Sequence, residues 1–168
     1  MVLMIGKFAC LLACYFGGLV AGVFLHELGH ALLALLVTRQ RVEVEVGSSG
    51  KRGSVNLGRL TLGFRSSGHR YGATRYDREE ETRGRQAWVA LGGPLASLVA
   101  VLGFTWLMVS SPVGSWLWVA SLGLGVANFR IFIVAVWPIE YQPNGEVGEV
   151  WVSDGLDFWR LMTNKRDQ

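Results

Sequence analysis

Charge is what this sequence is short of. Asp, Glu, Lys and Arg make up 17% of its 168 residues, where a soluble domain carries roughly a quarter, and hydrophobic residues reach 51%. The shortage is uneven, because eleven of the 16 Lys and Arg fall between Arg39 and Arg85 while long flanking stretches have almost none. That distribution excludes an ordinary soluble domain. The net charge of +3 gives no reason to expect nucleic acid as a partner, since a basic loop between apolar runs is the mark of membrane orientation. Cysteine is nearly missing too: Cys10 and Cys14 are the only two and lie four apart on one apolar segment, which excludes a disulfide framework and a four-cysteine zinc site. The first apolar stretch lacks a cleavage site of small residues followed by a polar chain, so it is expected to be a retained span rather than a signal peptide.

What is present is three long apolar runs. Phe8 to Val37 is interrupted only by His26, Glu27 and His30, Ala87 to Val109 is uncharged, and Pro112 to Trp137 is broken only by Asn128 and Arg130. Each suffices to cross a hydrocarbon core of about 30 Å. The expected fold is a mainly α membrane protein of one domain, with spans at about 8–37, 87–109 and 112–137, a loop at 39–86 and a C-terminal segment at 138–168. In the loop, Val42, Val44 and Val46 alternate with Glu43 and Glu45 in the period of a half-buried strand, and Val55, Leu57, Leu60, Leu62 and Phe64 continue in extended style. A small antiparallel sheet at the membrane surface is expected there, between the first and second spans. The loop carries eleven Lys and Arg and the connection Ser110 to Ser115 carries none, so the loop and the C-terminus are assigned to the cytoplasmic side.

The first span contains HELGH. Residues four apart share a helix face, so His26 and His30 can turn two imidazoles toward one cation while Glu27 stands beside it. A hydrolytic metal site needs that set: imidazole ligands, an open position where water is activated, and a carboxylate to carry its proton to the leaving amine. Three ionisable groups within five residues of hydrocarbon are costly without a common partner, which favours a metal site over a chance pattern. Leu33 and Leu36 stand where one large class of soluble zinc proteases adds a glycine and a third histidine, so the third ligand must come from elsewhere in the chain.

Four features together resemble the site-2 protease family of intramembrane zinc metalloproteases. They are HELGH in an apolar helix, a Gly-Pro in the next span (GGPLAS, Gly92 to Ser97), Asn128 in the following span and a late Asp-Gly at Asp154 and Gly155, in that order. The resemblance implies zinc held by His26, His30 and Asp154, with Glu27 as catalytic base. It also implies a substrate cleft shaped by Asn128 and a Gly93-Pro94 turn. The chain departs from the family by having Ala96 and Ser97 where many members have an asparagine, and by separating Asn128 from Asp154 by 26 positions. Asp157 competes with Asp154 for the ligand role, three residues on in a short helix opened by Ser153. The adjacent Gly155, which permits close backbone approach, favours Asp154.

Helical rise places His26 and His30 about 10 to 17 Å inside Val37, Gly93 about 10 Å inside Gln86 and Asn128 roughly 13 Å inside Trp137. All three spans are therefore expected to bring their motifs to one depth. Arg130 is accounted for by reaching the cytoplasmic interface or by lining a water-filled cavity. Glu140, Glu146, Glu149 and His69 are expected to be solvated, and six of the tryptophans near span ends suit an interfacial belt. Gly18 and Gly22 give a small-residue spacing that fits either an internal interface or a homo-oligomer face.

The expected function is zinc-dependent hydrolysis of a peptide bond in or near the membrane segment of another membrane protein, with Zn2+ as cofactor. Its setting is the lipid bilayer, in a bacterial cell membrane, with the active site toward the cytoplasm. A sheet edge in the Val42 to Phe64 region is expected to receive the substrate as an added strand. The alternative is a non-hydrolytic zinc-binding or regulatory relative, against which Glu27 argues because metal binding alone does not need it. The charge asymmetry makes a direct prediction: a membrane-impermeant thiol reagent added to intact cells should modify Val113→Cys and spare Arg70→Cys. Labelling of Arg70→Cys alone would invert the topology.

Overall fold

The computed structural model describes residues 2–68, 71–141 and 151–163. Three of its helices are long and apolar enough to cross a membrane: α1 (Val2–Val37), α2 (Arg83–Val109) and α3 (Trp116–Val136). Ser115 starts α3 by accepting a hydrogen bond from the Trp118 N–H through its side chain, which satisfies one of the amide groups left open at a helix start. Pro94 lies inside α2. Gly93 and Pro94 are thus helical, not the expected turn; proline fixes φ near its helical value, and membrane helices tolerate its missing N–H.

Glycine sets how closely the helices approach. A Cβ on Gly29 would collide with the Gly92 carbonyl, and a Cβ on Gly92 with that of Gly29, so α1 and α2 cross backbone to backbone at this point. Along α3, Gly18 faces Leu124 and Ala127, and Gly22 faces Asn128 and Ile131. The Gly18–Gly22 face is therefore the internal α1–α3 interface. Contacts of Cys14 with Gly123, Gly18 with Ala127 and Gly22 with Ile131 hold a constant offset of 109 positions. The two helices run parallel, and Val136 at the end of α3 falls level with Glu27. At 1.5 Å per residue α1 continues about 15 Å beyond that level. The depth expectation for Asn128 is corrected here: it assumed that all three spans end in one plane, and α3 stops ten residues short of α1.

The loop forms a four-stranded sheet from β1 (Val42–Val46), β2 (Ser49–Leu57), β3 (Leu60–Ser67) and β4 (Gly72–Arg75), in the order β2-β3-β1-β4. It is mixed rather than antiparallel, because β1 pairs β3 in parallel, Val42 with Leu60 through Val46 with Phe64. The physical reason is the tight β2–β3 hairpin at Gly58, where φ is +66°, which returns β3 between β2 and β1 instead of letting consecutive strands pair. Val42, Val44 and Val46 are buried in a core with Ala31, Ala34 and Val89. Glu45, on the other face of β1, is also buried, and it pairs with Arg65 at 2.5 Å and Arg75 at 2.7 Å. Burial alone would push its carboxyl up, but the Arg65 bond and charge, followed by those of Arg75, outweigh it and hold Glu45 below the usual carboxylate range.

Beyond α3 a two-stranded pairing of β5 (Glu140–Tyr141) with β6 (Trp151–Val152) turns the chain back, and α4 (Asp154–Thr163) packs on α2. Ser153 organises the return. Its hydroxyl donates to the Trp137 carbonyl at 2.6 Å and accepts from the N–H groups of Ile139 and Leu156. Glu140 pairs with Arg160 at the surface; His69, Glu146 and Glu149 lie outside the described residues.

Because α1 and α2 touch at Gly29, Gly29→Leu should overpack the crossing and destabilise the bundle by about 1–3 kcal/mol or more. Thermal unfolding in detergent checks this. Gly17→Leu is the control, since a Cβ there meets nothing within 4 Å, and its Tm should not fall.

Candidate metal centre

Two candidate ligands come from one helix face and a third from the returning tail. His26 and His30 sit one turn apart on α1, their Nε2 atoms 3.2 Å from each other. Asp154, the first residue of α4, brings Oδ2 to 3.0 Å from His26 Nε2 and Oδ1 to 3.3 Å from His30 Nε2. Candidate ligand atoms of the three residues all lie within 4.8 Å of one another. Tetrahedral ligands at zinc bond lengths of about 2.0–2.1 Å stand roughly 3.3 Å apart, so the spacing suits zinc.

The far side of each imidazole is held. His30 Nδ1 lies 2.7 Å from the Val89 carbonyl oxygen. A carbonyl only accepts, so Nδ1 carries the proton and Nε2 presents its lone pair to the centre. His26 Nδ1 is 2.9 Å from Ser97 Oγ, and Ser97 is fully buried. Gly93 forms the floor, for any Cβ there would overlap imidazole nitrogens of both histidines. The donor set is two neutral-capable imidazoles and one anion, which is a catalytic-type zinc set with a position left for water or substrate.

Glu27 is buried and turned by the sheet. Thr74 Oγ1 of β4 lies 2.7 Å from Glu27 Oε2 and 3.0 Å from the Glu27 carbonyl oxygen. A Cβ on Gly72 would meet the Glu27 side chain. A cavity of about 770 Å3 contains His26, Glu27 and Asp154 on one wall and Gly72, Ala73 and Thr74 of β4 on another.

Asp157 is engaged elsewhere. Arg78 Nη2 lies 2.9 Å from both of its carboxylate oxygens. Asn128 is not brought to the three ligands. It is buried between α1 and α3, donates Nδ2 to the Leu124 carbonyl at 2.9 Å and turns Oδ1 toward Gly22, with no donor for that oxygen among the described residues. Pro94 is buried in α2 beside Gly93.

Sequence reasoning missed Ser97, the Val89 carbonyl, Thr74 and Arg78. Ser97 carried a usable signal, because four residues after Gly93 it shares that glycine's helix face. Thr74 carried none, since its role depends on how β4 lies against α1.

Residues 12–137 match the family described as Peptidase M50B-like. The chain belongs to that family, a family of site-2 proteases. Neither a curated protein nor a solved structure matches it. The matched stretch of this M50B-like peptidase includes His26, Glu27, His30, Gly93, Pro94 and Asn128 and ends before Asp154. M50 peptidases are zinc metalloproteases, and the candidate His-His-Asp centre fits that metal.

Asp154→Ala should lose most zinc affinity, and Ser97→Ala about 10- to 100-fold through the freed His26 ring. Asp157→Ala should keep its metal. Isothermal titration of zinc into the chelator-stripped protein measures all three, and full affinity in Asp154→Ala would remove that residue from the centre.

Proposed function

We propose that the protein is a zinc-dependent intramembrane endopeptidase that cuts a peptide bond in or near the membrane segment of another membrane protein. The observation that carries this is a cavity bringing the Glu27 carboxylate beside the His26–His30–Asp154 donor set and against β4, which is an edge strand among the described residues. Zinc bound by those three residues would supply Lewis-acid polarisation and an acidified water. Glu27 takes the proton of the attacking water and delivers it to the leaving nitrogen. Thr74 holds one oxygen of Glu27 and thereby its orientation during both transfers, while Ser97 and Val89 keep the imidazoles aimed.

Substrate enters as an extended chain. A membrane helix has its backbone hydrogen bonds closed, so a scissile peptide becomes reachable only when locally unwound, and its freed N–H and C=O groups then need partners. The edge of β4 meets that need by strand addition. The expected edge in the Val42 to Phe64 region is moved by the strand order, since β1 and β3 are interior and β2 lies at the far edge. β4 alone combines an edge position with contact to Glu27.

The eleven Lys and Arg of the loop support a site facing the cytoplasm, and a bacterial cell membrane is part of the same proposal. A non-hydrolytic zinc-binding relative remains the second reading, and it is disfavoured by the bond from Thr74 to Glu27, which a purely structural metal does not need. Glu27→Gln should retain zinc and fold but drop cleavage of a single-span substrate by at least about 100-fold, the usual weight of a general base. Cleavage and metal content measured on the same preparation test this, and wild-type turnover in that variant would sink the mechanism.

A further inference from the structure

We propose that Arg130 is an anion-binding subsite of the substrate groove, selecting membrane segments that carry a carboxylate side chain on the membrane-interior side of the scissile bond. The proposal rests on the peptidase reading above.

Among the ionised side chains of the three spanning helices, Lys7, Arg83 and Arg85 lie at helix ends and Glu27 belongs to the site. Arg130 stands apart. It lies six residues inside the end of α3 at Val136, about 9 Å by helical rise, and an ionised side chain at such a depth is retained only where something compensates it. Arg130 is exposed, and among the described residues it makes no hydrogen bond or ion pair.

Its position ties it to the chemistry. Arg130 lines the same cavity as His26, Glu27 and Asp154. The other charged groups on that wall are engaged, Glu27 by Thr74, Asp154 by the histidines and Arg78 by Asp157. Around Arg130 the cavity is apolar, with Leu19 and Val23 from α1 and Ile131 and Val134 from α3. A guanidinium in apolar walls, with no partner among the described residues, favours a planar, bidentate anion, and a carboxylate fits that fork.

The level sets the spacing. Gly22 packs on Ile131, so Arg130 stands level with Ala21, six residues from Glu27, or about 9 Å along α1. An extended chain covers that in two or three residues at about 3.3 Å each. The favoured substrate therefore carries Asp or Glu two to three residues from the cut, toward the membrane interior. A lipid phosphate offers the same chemistry, but it would have to leave the headgroup region and enter the cavity.

The test uses purified full-length protein and a series of single-span substrates. Each pair differs only by Glu or Gln at one position, stepped across the membrane-interior side of the cleavage site. In phosphate-free maltoside micelles the wild type should prefer Glu over Gln by about tenfold in kcat/KM at one or two neighbouring positions. The ratio should collapse to near one in Arg130→Gln, survive in part in Arg130→Lys and turn toward Lys-bearing substrates in Arg130→Glu. The same ratios in binding are read on a Glu27→Gln background, where no cleavage is needed. A ratio near one in the wild type at every position overturns the proposal. So does an Arg130→Gln defect that is equal for Glu and Gln substrates and present only in phospholipid vesicles, which assigns the cation to headgroup phosphate. If the wild type cleaves nothing, the peptidase reading fails, while the binding ratios still decide the fate of Arg130.

Discussion

Two imidazoles and a carboxylate, placed on an apolar helix, can be kept only if each finds a partner that water would otherwise supply. That constraint governs the rest of the molecule. His30 requires a carbonyl, so α2 must pass close enough for Val89 to reach it. The approach is possible because Gly29 and Gly92 have no side chains at the crossing and Gly93 has none beneath the rings. His26 requires a hydroxyl, and Ser97 is placed on the same face of α2, one turn further along. Leucine at any of these glycines would be good membrane composition and a poor metal site.

The second consequence is the short third span. With α3 ending level with Glu27, the bundle has three helices through most of its depth and only two beside the ligands. The notch receives β4, the β5–β6 pairing and the start of α4. Irregular backbone at this depth is tolerated where it lines a protein-walled or wet cavity, and Ser153 shows how its polar groups are met, by one hydroxyl serving Trp137, Ile139 and Leu156. Gly155 completes the fit, since a Cβ there would run into the Val136 carbonyl. A fourth full helix in this position would have closed the cavity.

Much of this was legible in the residues. The spans, the strand alternation of Val42 to Val46, the capping by Ser153 and the pairing of His26 with His30 follow from periods of 3.6 and 2 and from a few polar side chains. What was not legible depends on relations between elements. The parallel β1–β3 pairing comes from a hairpin inserting between strands, which alternation alone does not encode. Asn128 was placed by counting from Trp137 as though the spans ended together, whereas its depth is set by the glycine contacts of α1 with α3. Asp157 and Asp154 are indistinguishable by type and nearly so by position; Arg78, 79 residues away from Asp157 in sequence, separates them.

The third candidate ligand shows how far the centre depends on parts outside the membrane spans. Asp154 belongs to a ten-residue helix, too short to be stable alone. It is held by Ser153 at its start, by Arg78 on Asp157, and by Arg83 on the carbonyl of Arg160. Arg78 comes from the basic loop, and its neighbour Gln86 donates to the carbonyls of Arg78 and Glu81, fixing the connection from which Arg78 reaches out. The loop thus contributes twice, through Thr74 to the base and through Arg78 to the helix that carries a ligand. The two halves of the site, an imidazole pair rooted in α1 and a carboxylate rooted in the tail, are joined by a loop that touches both. One loop thus holds both the carboxylate of Glu27, through Thr74, and the helix that carries Asp154, through Arg78.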